Sequence, residues 1–316
     1  MSTVVPMIVL VDITAMRLWA AHGREGLEPV RFVQGLDWSE NSWAELRTAC
    51  ESELGILPTN DDPVYVLVDG PGSRIQSSKV KNHTWSGALP AGALYQVVPG
   101  IMVASPEFCC LLDAARESVP HAVATTMEFM GLYGRERSVR GFVDRDQLLT
   151  KEQLARFVDE LPTCPGRHKL RKALTYALER SRSPMETKVI IVLTLPKGLG
   201  GYGLPRPTLN YTIVPAPEDY PVSQFPRYEV DACWIDLRTV LEFDSYFFHM
   251  SPERFDADAK KRNSLKSMGW KVSSVTAGQL SGDALDVLAH QLARDMGIEL
   301  QCPTPERRDW LLRQLV

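Results

Sequence analysis

Residues 228–245, YEVDACWIDLRTVLEFDS, decide the fold. Two apolar runs, 228–235 and 240–245, flank the four residues 236–239, the pattern of an antiparallel strand pair. Glu242 and Asp244 lie two apart, so their side chains leave the same face. A symmetric four-residue loop sets Asp231 opposite Asp244 and makes Glu242 its diagonal neighbour, with Cβ atoms about 7–8 Å apart or somewhat less. A slip of one residue would send Asp231 to the other face.

Outward from this pair the rhythm continues. A helix starts at Ser183, where Ser183-Pro184-Met185-Glu186 reads as a capping box with Pro at the first helical position. A strand follows at 209–214. Beyond the pair come a helix near 252–268, a strand at 270–276, a helix near 277–296 and a last amphipathic helix from about Thr304. Helix, strands, helix, strand, helix is the order of an α/β domain with helices against a central mixed sheet. The glycine-rich turn 197–204 has no G-K-[ST] ending and follows a helix, so it is not a P-loop.

Three acids on one face repel one another and are costly to bury. A divalent cation resolves that cost, because Mg²⁺ takes hard oxygen ligands from one or two carboxylates plus substrate phosphate. Asp231, Glu242 and Asp244 are therefore either candidate ligands for Mg²⁺, or Mn²⁺ in its place, or the acids of an exposed strand face in water. Glu186 is a fourth acid that serves either as helix cap or as support for the site. His249 reads either as a hydrogen-bonded core residue or as a proton carrier. Lys260, Lys261 and Arg262 form either a solvated helix face or a source of positive charge for the acids or a phosphate.

Upstream, residues 1–104 read as a mixed α+β region with strands at 4–12, 64–69 and 94–104, a helix at 39–55, and a loop or ragged hairpin at 71–93. Residues 105–182 read as a helical connector opened by Ser105-Pro106-Glu107. From Arg135 to Arg182 there are 12 Lys/Arg against 7 Asp/Glu, a net +5. Arg167, Lys169, Arg171 and Lys172 lie together there, as a solvated face or as an arm that contacts nucleic-acid phosphates. Residues 183–316 complete the chain as the third segment.

The chain has 316 residues, 44% of them hydrophobic and 23% charged, which excludes a mostly disordered protein. A net charge of −4 means that any nucleic-acid contact must be local. No apolar run is long enough for a membrane span, and the start lacks a basic leader. The six cysteines include no C-x-x-C pair, so a zinc site is not expected, and a reducing cytoplasm is the expected compartment.

The stretch V-D-A-C-W-I-D-L-R-T-V-L-E-F-D-S-Y-F-F-H, followed by D-A-D-A-K-K-R-N-S-L-K-S-M-G-W-K-V-S-S-V-T, resembles the very-short-patch-repair-like (Vsr-like) domain of the PD-(D/E)XK nuclease superfamily over about residues 183–290. The resemblance implies a restriction-endonuclease-like fold and metal-dependent cleavage of DNA phosphodiesters, in defence or repair. It implies roles for Asp231, Glu242 and Asp244, with His249 after them and Glu186 on the preceding helix. Many superfamily members carry Lys two positions after the Glu, where Asp244 stands here, so Lys260 or Lys261 could supply a migrated cation. The region around residues 105–107 resembles AbiEi-type antitoxins of type IV toxin–antitoxin systems. That likeness implies the alternative of a non-catalytic regulator with a relic nuclease fold, whose partner is DNA or a toxin–antitoxin protein.

Overall fold

A computed structural model describes residues 8–24, 27–30, 42–136, 140–244, 252–280 and 283–315. Its contacts divide the chain into two units, Met1–Thr125 with Tyr133–Leu174, and Thr126–Leu132 with Thr175–Val316. Residues 105–182, expected as a separate connector, are thus shared between the two. Their apolar side chains are the reason. Phe108 and Leu111 are fully buried, and Gly166 sits against the Leu111 carbonyl with no room for a side chain. In the second unit, Leu132 N–H donates to Ser181 O at 2.7 Å and Arg180 N–H to Met130 O at 2.9 Å.

The first unit runs β1 Ile8–Leu10, α1 Asp12–His22, β2 Glu28–Pro29, α2 Trp43–Ser52, β3 Val64–Val68, β4 Val80–Thr84, β5 Leu94–Val98, β6 Ile101–Ala104, α3 Pro106–Arg116, α4 Val119–Phe129, β7 Tyr133–Arg135, β8 Phe142–Asp144, α5 Lys151–Glu160 and α6 Arg167–Tyr176, with the ends of α4 and α6 counted in the second. Its six-stranded sheet has the order β2-β5-β6-β1-β3-β4. β1 lies parallel to β6 and antiparallel to β3, and all three of its residues are buried, as an unbroken apolar run in a central strand should be. Residues 71–93 hold more order than a loop or hairpin, because β4 pairs parallel with β3. A parallel partner needs a crossover. Asn82 clamps that crossover, accepting from Ile75 N at 2.9 Å and donating to Ile75 O at 3.0 Å. The single strand expected at 94–104 is instead the hairpin β5–β6, turned at Gly100 with φ 83°.

The second unit continues with α7 Pro184–Thr194, β9 Thr208–Ile213, β10 Tyr228–Trp234, β11 Thr239–Asp244, α8 Pro252–Ser267, β12 Lys271–Thr276, α9 Asp283–Met296 and α10 Pro305–Gln314. The sheet order is β12-β11-β10-β9. β9, β10 and β11 form an antiparallel meander, and β12 lies parallel to β11. Helix, three-strand meander, helix and parallel strand therefore follow one another as the patterning implies, in a mixed sheet flanked by helices.

Two local devices set this frame. At the end of α7 the glycine-rich turn folds back so tightly that a side chain at Gly201 would collide with the Leu195 carbonyl and one at Gly200 with the Arg307 carbonyl, so these two glycines serve close packing. On α8, Lys261, Ser264 and Leu265, with Met268 just past its end, recur at helical spacing and share one face. Leu265 and Met268 are buried with Val230, Val240 and Ile213. Leu265→Ala would cost about 2–5 kcal/mol. Ser264 Oγ meets the Tyr228 hydroxyl, which also accepts from Gln224 N at 3.0 Å. Among the described residues no helix is long and apolar enough to cross a membrane.

Candidate functional site

The β10–β11 register differs from the expected one by two residues. Ala232 pairs with Leu241, Cys233 with Val240 and Trp234 with Thr239. The four-residue connection is 235–238 rather than 236–239, because Ile235–Leu237 forms a 3-10 turn closed by Arg238 in the left-handed region at φ 44°. A shift of two preserves side-chain parity. Continued by one residue, the register sets Asp231 opposite Glu242, not Asp244.

The backbone ladder stops at Ala232–Leu241. Beyond it Asp231 Oδ2 accepts the Phe243 N–H at 2.7 Å, so a carboxylate takes the place of a strand carbonyl. The other edge of β10 opens at the same residue. Its ladder to β9 passes from Val230–Tyr211 to Ala232–Leu209 and omits Asp231 and Asn210. Asn210 lies in the left-handed region at φ 48°. Asp231 thus stands where β10 separates from both neighbours.

The carboxyl groups of Glu242 and Asp231 lie close enough to shift each other's titration. Burial, then the Asp231 charge, pushes the Glu242 carboxyl up to about 7, while the Lys261 charge opposes them. Asp231 is also raised, by burial, against the opposing pull of the Phe243 N–H and the Lys261 charge. Lys261 Nζ lies 2.8 Å from Glu242 Oε1. That ion pair lacks hydrogen-bond alignment, and Oε1 is a buried acceptor with no hydrogen bond. The residue expected beside Lys261 as a cation source, Lys260, is exposed. One residue further along a helix is about 100° of rotation, which turns Lys260 away from the buried face.

Glu186 sits in the first turn of α7. Ser183 Oγ accepts from Glu186 N at 3.1 Å, which is the Ser half of the expected capping box. The Glu half differs. Glu186 Oε2 accepts from Arg182 N at 2.8 Å, one residue earlier than the box requires, and from Asn210 Nδ2 at 3.2 Å. Burial raises Glu186 to about 7, with the nearby Asp231 charge adding to it and these donors opposing it. The capping carboxyl group thus also lies within reach of the Asp231 charge.

Asp244 continues the alternation of Glu242, but it is exposed at the strand end. Among the described residues no group of three His, Cys, Asp or Glu side chains is arranged to hold a metal ion. The expected three-carboxylate set is accordingly replaced by the pair Asp231 and Glu242, with Glu186 near and Lys261 against them. His249 lies outside the described residues.

The basic residues of α6 have local uses. Arg167 Nε donates to Val158 O at 3.2 Å and Nη2 to Asp159 O at 3.4 Å, at the end of α5. Lys169 Nζ donates to Glu117 O, just past α3. Arg171 pairs with Asp159 at 2.8 Å. Cations at helix C-termini satisfy orphan carbonyls and the helix dipole, which gives Arg167 and Lys169 a structural role. Lys172 is exposed.

Sequence reasoning missed Asn210 and Arg182. Asparagine is depleted in strands, so Asn210 within TLNYTI carried a signal of irregular backbone. Arg182, whose side chain lies 3.6 Å from Glu229, carried none beyond its place before the capping serine.

Two curated proteins from two strains of Mycobacterium tuberculosis, Uncharacterized protein Rv2248 and Uncharacterized protein MT2308, are similar to this chain. Each is 24% identical over 205 residues, covering 65% of this chain and 65% of the relative. The match thus spans just under two thirds of the length of these relatives. No family model matches the sequence, and no solved structure matches it.

Proposed function

We propose that the second unit is a PD-(D/E)XK-like nuclease domain of the Vsr-like type that cleaves DNA phosphodiesters with Mg²⁺ or Mn²⁺. The observation that carries the reading is the pair Asp231 and Glu242, half-buried where β10 and β11 part, with Lys261 delivered against Glu242 from the crossover helix. The helix–meander–helix–strand order supports it too. Two neighbouring half-buried carboxyl groups suit a hard cation that takes one or two carboxylates.

Asp231 and Glu242 would hold the cation. When bound, the cation supplies charge to the phosphodiester and acidity to the attacking water. Glu186 supports the site from α7. Lys261 brings a positive charge to the acids, stands where charge develops on phosphate, and takes the place of the lysine that the superfamily more often carries two residues after the Glu. His249 would be the auxiliary group for proton transfer.

One feature favours a second reading, a non-catalytic AbiEi-like binding protein with DNA or a toxin–antitoxin protein as partner. Lys261 already neutralises Glu242, as it would in a relic site. Nicking of supercoiled plasmid with Mn²⁺ decides between them. Activity in wild type, lost in Asp231→Asn and Glu242→Gln with unchanged folding, supports the nuclease. Failure of the wild type both to nick and to bind Mn²⁺ overturns it in favour of the regulator.

A further inference from the structure

Two residues other than glycine in the left-handed region face each other beside Glu186. Arg180 has φ 69° and Asn210 φ 48°. They are joined by Asn210 Nδ2, which donates to Arg180 O at 2.7 Å. The same nitrogen donates to Glu186 Oε2 at 3.2 Å, and Arg182 N–H, two residues on from Arg180, donates to that oxygen at 2.8 Å. Both partners of the Asn210 side chain are acceptors, so its nitrogen and not its oxygen must face them.

We infer that Asn210 is a positioning residue, whose left-handed backbone and amide nitrogen together hold the Glu186 carboxyl group at the edge of the acid site. The inference rests on the nuclease reading for the purpose of that carboxyl group, but not for the fact of its being held.

The residue type follows from the two demands. A side chain in the left-handed region costs energy, least for Asn and Asp among residues that have one. A donor is needed because both targets are acceptors. Asp meets the first demand and fails the second, and it would set a second carboxylate against Glu186. Gly meets the first and has no side chain. Asn meets both. The turned backbone also explains why the β9–β10 ladder omits Asn210 and Asp231. One device releases Asp231 from its strand neighbour and fixes Glu186. Non-glycine residues held in sparsely populated backbone conformations cluster at functional sites, where the surrounding structure over-determines them.

The test compares full-length wild type, Asn210→Gly and Asn210→Asp, without metal. Hydrogen exchange at the Arg182 amide is read by NMR beside thermal melting. Asn210→Gly keeps the backbone conformation, so its melting temperature should stay within about 3 °C of wild type. Arg182 exchange should nevertheless quicken at least about tenfold, because its acceptor is no longer held. Asn210→Asp should quicken it further. Unchanged Arg182 exchange in both variants overturns the inference, as does a loss of protection that only follows global destabilisation. A second arm measures Mn²⁺-dependent plasmid nicking. There Asn210→Gly should lower kcat about tenfold or more with little change in KM. If wild type does not nick, the nuclease reading falls, and the Arg182 amide still decides whether Asn210 holds Glu186.

Discussion

Lys261 Nζ stands 2.8 Å from Glu242 Oε1, and each reaches the other from a different element of the second unit. Leu265 and Met268 bury the face of α8 that carries Lys261, while β11 alternation turns Glu242 to the same side as Val240. Packing of the helix thus decides which of the two adjacent lysines meets the acids.

Lys261→Met should therefore have effects that Lys260→Met lacks. Without Lys261, Glu242 loses the cation beside it, while Asp231 keeps the Phe243 N–H. Breaking a fully buried pair costs about 3–5 kcal/mol, but this one is partly exposed, at 28% and 17% for the two side chains, and Glu242 can protonate. The cost should be about 1–2 kcal/mol at pH 8 and should shrink near pH 5. Lys260→Met should stay within about 0.5 kcal/mol of wild type. Denaturant midpoints at the two pH values measure this, and plasmid nicking should fall more than about tenfold in Lys261→Met alone. Equal behaviour of the two variants would sink the assignment of Lys261.

Asp231→Asn should trade activity for stability. The asparagine oxygen can still accept the Phe243 N–H, and its nitrogen can donate to Glu242, so one buried charge disappears with no hydrogen bond lost. The metal-free protein at pH 7.5 should gain about 1 kcal/mol, seen as a higher melting temperature. Added Mn²⁺ should stabilise wild type and leave the variant unmoved. A variant that melts earlier than wild type without metal would mean that the Asp231 charge is not a burden.

The frame of the second unit was legible because its strands are apolar runs and its helix starts carry Ser-Pro signals. The acids were legible through parity, which survives a register error of two. The register itself was not, since it depends on Arg238 adopting a left-handed turn that nothing in IDLR announces. Lys261 could be narrowed to one of three adjacent cations but not chosen, because that choice follows from where Leu265 packs. The irregularity at Asn210 needs the tertiary partners Arg180 and Glu186, far away in sequence.

Arg167→Ala should cost stability rather than nucleic-acid affinity. Its guanidinium bonds to the Val158 and Asp159 carbonyls at the end of α5. Loss of such a capping contact costs about 1 kcal/mol. A residue that grips a phosphate would instead lower the salt slope of duplex binding by about 1 on removal. The expected result is a lower melting temperature with an unchanged salt slope. A reduced slope at unchanged stability would restore the phosphate-arm reading of Arg167, Lys169, Arg171 and Lys172.

Glu186 should make stability depend on pH in a direction opposite to most carboxylates. Its folded-state value is raised to about 7 by burial, against about 4.3 for the unfolded chain. Between those values the folded protein holds a proton that the unfolded chain has released. The stabilisation is complete below about pH 4.3 and is lost as pH rises through about 7. Between pH 5 and pH 8 the loss amounts to about 2.5 kcal/mol. Glu186→Gln cannot titrate, so its stability should decline less over that range by about this amount. Asp113 of the first unit is also raised by burial, to about 6, but it is present in both proteins and cancels in the difference. Urea midpoints for the metal-free wild type and variant at pH 5, 6, 7 and 8 provide the measurement. Parallel declines would mean that Glu186 is ionised throughout, and that its hydrogen bonds from Arg182 and Asn210 outweigh its burial.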